Sequence, residues 1–419
     1  MAKFVIQGGA PLRGDIYVAA NKNAVLPMMA ACLLTDDDCY LENVPGIADV
    51  QTMACILQEL GAEVEWLEEN RMRINCSSVS SFYPPAHLVE RLRASIVLMG
   101  PLLARFGRAN MHHPGGDAIG TRSIGTHVHA LSHLGAEFTN DDNFYCARVQ
   151  SDTRDQQIFL DEASVTATEN AMLFAASLPG TTTIRNAAGE PHIENLAAQL
   201  SCMGATVSGA GSNVLHITGS DELHGATAEV WPDHIEAGTF AALAAATGSE
   251  VCIHGVVPDH LDMVFLVLKR MGVQFVLDGT MMKVCPSSLQ AIPKIQTGIW
   301  PAFPTDLASI FIVLATQAQG MTLVHDWMYE GRMFFVDRLV QMGGNIVLAD
   351  PHRAVISGPS SLRGREFVSP DIRAGIALVM AALIAEGQSK IEHIELIDRG
   401  YERIDDRLRA LGADIERVS

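Results

Sequence analysis

Positive charge is scarce in this chain. Its 419 residues hold 29 lysines and arginines against 48 aspartates and glutamates, a net charge of −19. No broad basic surface is left to neutralise phosphates, which excludes a general nucleic-acid binder; an anionic ligand has to be held by a few local cations. Long hydrophobic runs are missing as well. No stretch approaches the roughly 20 apolar residues needed to span a bilayer, and the run from Met1 to Gly8 lacks the apolar core of a signal peptide. The eight cysteines make no C-x-x-C pair, and most sit in apolar or strand-like runs. They read as reduced core thiols, which places the protein in the cytoplasm. There is no Walker loop, no dinucleotide fingerprint after a strand and no G-x-S-x-G elbow. His112, His113, His127 and His129 are close in sequence, but no further ligand completes a known metal spacing, and no metal or cofactor is expected.

What the chain does have is a repeat. A helical pattern ending in Leu-Gly or Met-Gly, followed by a short strand, occurs six times, at Gly61, Gly135, Gly204, Gly272, Gly343 and Gly412. The intervals are 74, 69, 68, 71 and 69 residues. Each glycine stands where a left-handed residue would stop a helix before a strand. The preceding helices are amphipathic, as in Val50 to Leu60. A second helix in each unit is apolar nearly all round, as in Ala24–Leu34, Ala237–Ala246, Ile310–Ala315 and Ile376–Ile384, and so must be buried on every face. Alternating segments such as Glu250–Gly255 read as strands. The unit is therefore strand, buried helix, strand, amphipathic helix and two strands, in an α/β fold.

Six units of about 70 residues exceed the common solenoid periods, and 419 residues exceed one ordinary core. Two three-repeat domains fit. The first is expected over 22–230; the second is expected to combine 1–21 with 231–419. The strand from Phe4 to Gly8 has no unit of its own and would complete the last one by pairing with the C-terminal strand.

Polar groups collect at the starts of the buried helices. These open with Asn21-Lys22-Asn23, Arg91-Leu92-Arg93, Ser164-Val165-Thr166, Asp233-His234, Pro304-Thr305-Asp306 and Pro370-Asp371-Ile372-Arg373. Asp306 and Asp371 are ordinary caps on local grounds. Lys22 and Arg93 are not, because a cation at a helix N-terminus opposes the macrodipole unless an anion lies between. Arg332 and Arg399 sit in loops before amphipathic helices and, with Lys22 and Arg122, would suit a clamp on phosphate and carboxylate. The run His112–Arg122 has three glycines, a proline, Asp117 and Arg122. It reads either as a surface turn or as a mobile lid over a polar substrate.

The runs Asn21-Lys22-Asn23-Ala24, Arg93-Ala94-Ser95, Gly100–Arg105, Pro114–Gly120, Phe303–Asp306, Asp371–Ala374 and Ile397–Tyr401 together resemble the enolpyruvyl transferases over essentially the whole chain. The nearest branch is the one that uses UDP-N-acetylglucosamine as acceptor in peptidoglycan synthesis and cell wall biogenesis. The resemblance implies two inside-out α/β barrel domains of three repeats each, as in EPSP synthase, with the active site in the cleft between them. It also implies transfer of the enolpyruvyl group of phosphoenolpyruvate to a sugar 3'-hydroxyl by addition and elimination, without a cofactor, on small-molecule substrates.

Carried over, the catalytic positions are Asp117, Lys22, Asp306 and Arg399. Lys22, Arg122, Arg332 and Arg399 would hold phosphoenolpyruvate. Asn23 and Asp306 would contact the reacting hydroxyl, with Asp306 as base. Asp371 and Arg373 would lie beside the reacting carbons, and Arg93, His127, Ser164 and Val165 complete the substrate contacts. Asp117 stands where most members have cysteine, and would be the general acid at the methylene carbon. Without that thiolate, fosfomycin insensitivity is expected.

The acceptor end departs from the family. Ser123 and Gly125 replace a proline and a uracil-reading aspartate, Glu162 replaces a lysine, and Thr166 replaces a glycine at the diphosphate turn. The alternatives are a paralogue using another nucleotide or sugar acceptor, or a non-catalytic ligand-binding relative.

Overall fold

The computed structural model describes residues 2–116, 119–120, 123–141, 144–150 and 154–418. The chain divides into two compact units. One, here the Asp306 unit, comprises Met1–Ala19, Asp117–Thr121 and Pro232–Ser419; the other, the Lys22 unit, comprises Ala20–Gly116 and Arg122–Trp231.

Each unit is three repeats folded with helices inside and sheets outside. In the Lys22 unit the buried helices are Lys22–Ala31, Met99–Phe106 and Val165–Ala175. In the Asp306 unit they are His234–Ala246, Ala308–Ala315 and Ile372–Ile384. Every residue of Ala308–Ala315 is buried, as its apolar surround requires. The amphipathic helices are Ala48–Leu60, Gly125–His133 and Pro191–Cys202 in one unit, and Asp262–Arg270, Val336–Gln341 and Ile404–Ala410 in the other. All six repeat glycines have positive φ, from 83° to 110°, so each supplies the left-handed turn that only glycine adopts without strain.

Among the described residues five sheets have four strands and one, Arg108–His112, Ala136–Asp141 and Phe144–Val149, has three. Four-stranded sheets join one parallel pair to two antiparallel pairs. Thus Thr227–Glu229 runs parallel to Asp38–Glu42, and Arg13–Tyr17 parallel to Glu250–His254. The strand Lys3–Gln7 lies antiparallel between Gln388–Glu392 and Asp414–Val418, opposing Phe4 to Arg417.

Two local readings need correction. The second buried helix opens as a 3-10 turn, Arg93–Leu98, and becomes α-helical only at Met99. Pro101 has no N–H to donate four residues back, so the α ladder starts where that donor is an orphan in any case. The cysteines are all free, but Cys55 and Cys202 are exposed on amphipathic helices and only Cys32, Cys39 and Cys76 are fully buried.

Candidate active site

Asp306 is not the helix cap that its local sequence suggests. It lies in the 3-10 turn Thr305–Leu307, and its carboxylate is held by two arginines, Arg332 from its own repeat and Arg373 from the next. Arg332 Nη2 donates to Oδ1 at 3.0 Å. Arg373 donates to Oδ2 through Nε at 3.0 Å and approaches it through Nη2 at 2.8 Å. Both arginines are buried, at 4% and 5% exposure, so the three groups must neutralise one another. Burial opposes the charge of Arg373, but Asp306, Tyr401 and Asp233 outweigh it and hold the guanidinium above its usual pKa.

Asp371 is a true cap: its side chain accepts from the N–H groups of Arg373 and Ala374 at 2.8 and 2.9 Å. This fixes the helix start from which Arg373 reaches Asp306. Arg373 Nη1 also donates to Tyr401 Oη at 3.3 Å, and Tyr401 shares a hydrogen bond of 3.1 Å with Thr239. Arg399 lies half-buried in the same turn as Tyr401.

Local sequence carried no signal for several of these partners. Asp326 is fully buried, accepts from Thr297, Thr305 and the Met328 N–H, and sits 3.9 Å from Arg332 Nε. That separation is beyond hydrogen-bond reach, and Nε has no hydrogen-bond partner among the described residues. His234, next to the cap Asp233, is buried and kept neutral. Burial pulls its pKa down to about 3, with the charges of Asp306 and Arg373 acting in opposite directions.

In the Lys22 unit, Asn21 caps the first buried helix by accepting from Asn23 and Ala24. Lys22, the first helical residue, pairs with Asp49 at 2.8 Å; both side chains are largely shielded. Asp49 is the anion that makes a cation tolerable at this helix end. Asn23 follows in the same turn, half-buried. Arg93 Nη2 reaches the Ser123 carbonyl at 3.3 Å.

His127 is buried between two helices. Asn170 Nδ2 donates to its Nδ1 at 2.9 Å, which leaves the proton on Nε2 to be donated to Thr166 Oγ1 at 3.0 Å. Asn170 also donates to the Ile96 carbonyl and accepts from Gly100 N–H. A Cβ at Gly100 would lie 2.5 Å from the Asn170 carbonyl, so only glycine allows this approach. Burial, aided by the charge of Arg93, pulls the His127 pKa down to about 3. Ser164 caps the helix that begins with Val165, accepting from Ala167 N–H at 3.4 Å.

The four histidines weighed as metal ligands do not converge. His112 hydrogen-bonds Tyr83, His113 packs edge-on to Tyr145, and His129 bonds the Phe159 carbonyl. The acceptor-end substitutions are locally accommodated: Ser123 Oγ accepts from Gly125 N–H at 2.9 Å, and Glu162 is exposed.

Asp117 and Arg122 lie outside the described residues. Within the same loop, Ile119 accepts a hydrogen bond of 2.8 Å from Gly331 N–H. A Cβ on Gly331 would come within 2.8 Å of the Ile119 carbonyl carbon. Gly331 precedes Arg332, so Ile119 lies against the turn that carries Arg332.

Two three-repeat inside-out units, with charged groups at the buried-helix starts, define the class. The chain matches the model of the EPSP synthase (3-phosphoshikimate 1-carboxyvinyltransferase) family over residues 6–408, and it belongs to that family. Among its relatives, the UDP-N-acetylglucosamine 1-carboxyvinyltransferase of Treponema denticola is 45% identical over 424 residues, covering 99% of each chain. That of Bradyrhizobium diazoefficiens is 45% identical over 425 residues, covering 99% of this chain and 98% of its own. The fold is also that of the enolpyruvyl transferase NikO from Streptomyces tendae, with a TM-score of 0.89 at 22% identity over 100% of this chain and 99% of that one. An EPSP synthase from Acinetobacter baumannii superposes with a TM-score of 0.76 at 19% identity, with both chains fully covered. Among the described residues no helix is long and apolar enough to cross a membrane.

Proposed function

We propose that this chain transfers the enolpyruvyl group of phosphoenolpyruvate to the 3'-hydroxyl of UDP-N-acetylglucosamine and releases inorganic phosphate, a cytoplasmic step of peptidoglycan synthesis. Family membership and the 45% identity to named carboxyvinyltransferases support the reaction. The observation that carries the site is the carboxylate of Asp306 held by Arg332 and Arg373.

In the first half-reaction the acceptor oxygen bonds to C2 of phosphoenolpyruvate. Its proton passes to Asp306, while C3 takes a proton from Asp117. In the second half C3 returns a proton to the Asp117 carboxylate, the C2–O bond to phosphate breaks, and phosphate leaves with the proton that Asp306 had taken. Asp306 accepts an N–H from each arginine and has a further guanidinium nitrogen at 2.8 Å, so it becomes a base only when an incoming anion draws a guanidinium away. Lys22, Arg122, Arg332 and Arg399 supply cations for the phosphate and carboxylate. Asn23 holds the acceptor hydroxyl. Asp371 fixes Arg373 beside the reacting carbons, and Arg93, His127, Ser164 and Val165 line the acceptor side.

Phosphate release from phosphoenolpyruvate, measured with UDP-N-acetylglucosamine, other UDP-sugars, UMP and shikimate 3-phosphate, tests the reaction and its acceptor together. Release with UDP-N-acetylglucosamine is expected; release with none of them leaves a ligand-binding relative. The second reading, a different nucleotide or sugar acceptor, draws on Thr166 and its bond to His127. With aspartate at position 117, incubation with fosfomycin is expected to leave the intact mass unchanged, and a covalent adduct would refute that role for the loop.

A further inference from the structure

The last strand carries one arginine that is committed to the turn holding Arg399. Arg417, on Asp414–Val418, forks onto Asp398, with Nη1 to Oδ2 and Nη2 to Oδ1 both at 2.8 Å. The same guanidinium donates to Asp405 Oδ1 from Nη2 at 2.8 Å and from Nε at 3.2 Å. It lies 5.0 Å from the centre of the buried Phe4 ring, on the strand that pairs with its own.

Asp398 immediately precedes Arg399. The turn that follows is closed by Gly400 N–H and Tyr401 N–H, both donating to the Ile397 carbonyl at 3.0 Å. At its far end Tyr401 is bonded to Thr239 and receives Arg373, which in turn holds Asp306. The five residues Ile397–Tyr401 are thus pinned at one end by Arg417 and at the other by Tyr401, with Arg399 between. A bidentate fork fixes orientation as well as distance, which a single contact does not.

We infer that Arg417, acting through Asp398, is a positioning residue for the phosphoenolpyruvate site: it sets the turn that carries Arg399 to the anion and, through Tyr401, steadies Arg373 beside the reacting carbons. The inference rests on the assignment, made above, of Arg399 to phosphoenolpyruvate and of Arg373 to a place beside the reacting carbons. Asp398 and Asp405 share the same guanidinium, yet only Asp398 adjoins Arg399. This contrast separates positioning from simple stapling of the C-terminal strand.

The experiment uses the full chain and four variants: Arg417→Lys, Arg417→Met, Asp398→Asn and Asp405→Asn. Phosphate release gives KM for phosphoenolpyruvate and for UDP-N-acetylglucosamine separately, calorimetry gives phosphoenolpyruvate binding without turnover, and thermal unfolding gives stability. Arg417→Lys, which keeps the charge but not the fork, is expected to raise the phosphoenolpyruvate KM about tenfold, with the acceptor KM within about twofold. Arg417→Met should exceed it and Asp398→Asn should match it. Asp405→Asn should lower the unfolding temperature while leaving the phosphoenolpyruvate KM within about twofold. If Asp398→Asn binds phosphoenolpyruvate as the wild type does, or if both KM values move in step with stability in all four variants, the positioning role is overturned. A wild type that neither binds nor turns over phosphoenolpyruvate defeats the proposed function itself, and this inference with it.

Discussion

Two polar clusters stand at buried-helix starts, one in each unit, and they solve burial in opposite ways. Around Asp306 the groups stay charged, and two arginines at 4% and 5% exposure are tolerated because a carboxylate joins them. Around His127 the groups are neutral: burial keeps the imidazole uncharged, and Asn170 and Thr166 satisfy both ring nitrogens. A buried ion pair gives little net stability, but its members can exchange partners when a charged ligand arrives. A satisfied neutral network has no such reserve and instead fixes shape. The charged cluster therefore suits chemistry on an anion, and the neutral one suits holding a surface.

The sharpest way to break this contrast is to remove the charge at Asp306. Asp306→Asn keeps the shape but places an amide against two guanidinium groups. Loss of the proposed base is expected to lower kcat/KM by about a thousandfold in the phosphate-release assay. Removing the anion that the two arginines share is expected to cost about 3 kcal/mol in urea unfolding. Inorganic phosphate should restore part of that stability by taking the vacated place, which the wild type would show far less. Activity close to wild type would mean that the carboxylate serves structure alone.

A pair of acids in the Lys22 unit tests how far that unit tolerates a buried charge with no counter-charge beside it. Glu169, on the helix Val165–Ala175, is fully buried, and burial, reinforced by Glu190, raises its pKa well above the usual range. Burial lifts Glu190 to about 7. Each carboxyl has one oxygen without a hydrogen-bond partner among the described residues. A carboxyl with a raised folded pKa binds its proton more tightly in the native state, so its contribution is present below pH 4.5 and is lost as pH rises. For Glu190 the loss runs from about pH 4.5 to 7 and amounts to about 3 kcal/mol. Glu190→Gln is expected to remove this slope and to be more stable than wild type at pH 8 but not at pH 4.5, read by urea unfolding at both values. A wild type whose stability is flat between pH 5 and 8 would contradict it.

The sequence exposed the frame of both clusters and little of their wiring. The repeat glycines and the all-apolar helices marked six units because a left-handed stop and full burial each leave a local signature. Lys22 stood out because a cation at a helix start needs an excuse, but its excuse, Asp49, looks like any acid in a first helical turn. Asp306 and Asp371 read alike as caps, and only three-dimensional pairing separates the arginine-bound carboxylate from the true cap. Arg417 and Asp398 are 19 residues apart in sequence, and no periodicity joins them. Pairings of this kind depend on which strands and turns become neighbours, which local propensity does not encode.

The smallest expected effect sharpens the neutral side. Thr166 is the second residue of the helix Val165–Ala175, where the family resemblance places a glycine against the acceptor diphosphate. Its hydroxyl accepts the only proton of a His127 held neutral, so the threonine is fixed toward the ring. Thr166→Gly removes a Cβ from the helix start and returns the Nε2 proton of His127 to the pocket as a free donor. A glycine in this first turn costs at most about 1 kcal/mol, so the fold should hold. If Thr166 narrows a UDP-N-acetylglucosamine site, the substitution lowers the acceptor KM about three- to tenfold and leaves the phosphoenolpyruvate KM unchanged, because the proposed function gives that ligand to the charged cluster. A rise in the acceptor KM would show that the Thr166 methyl or hydroxyl itself touches the acceptor. The neutral cluster would then be a recognition surface shaped for a different nucleotide or sugar.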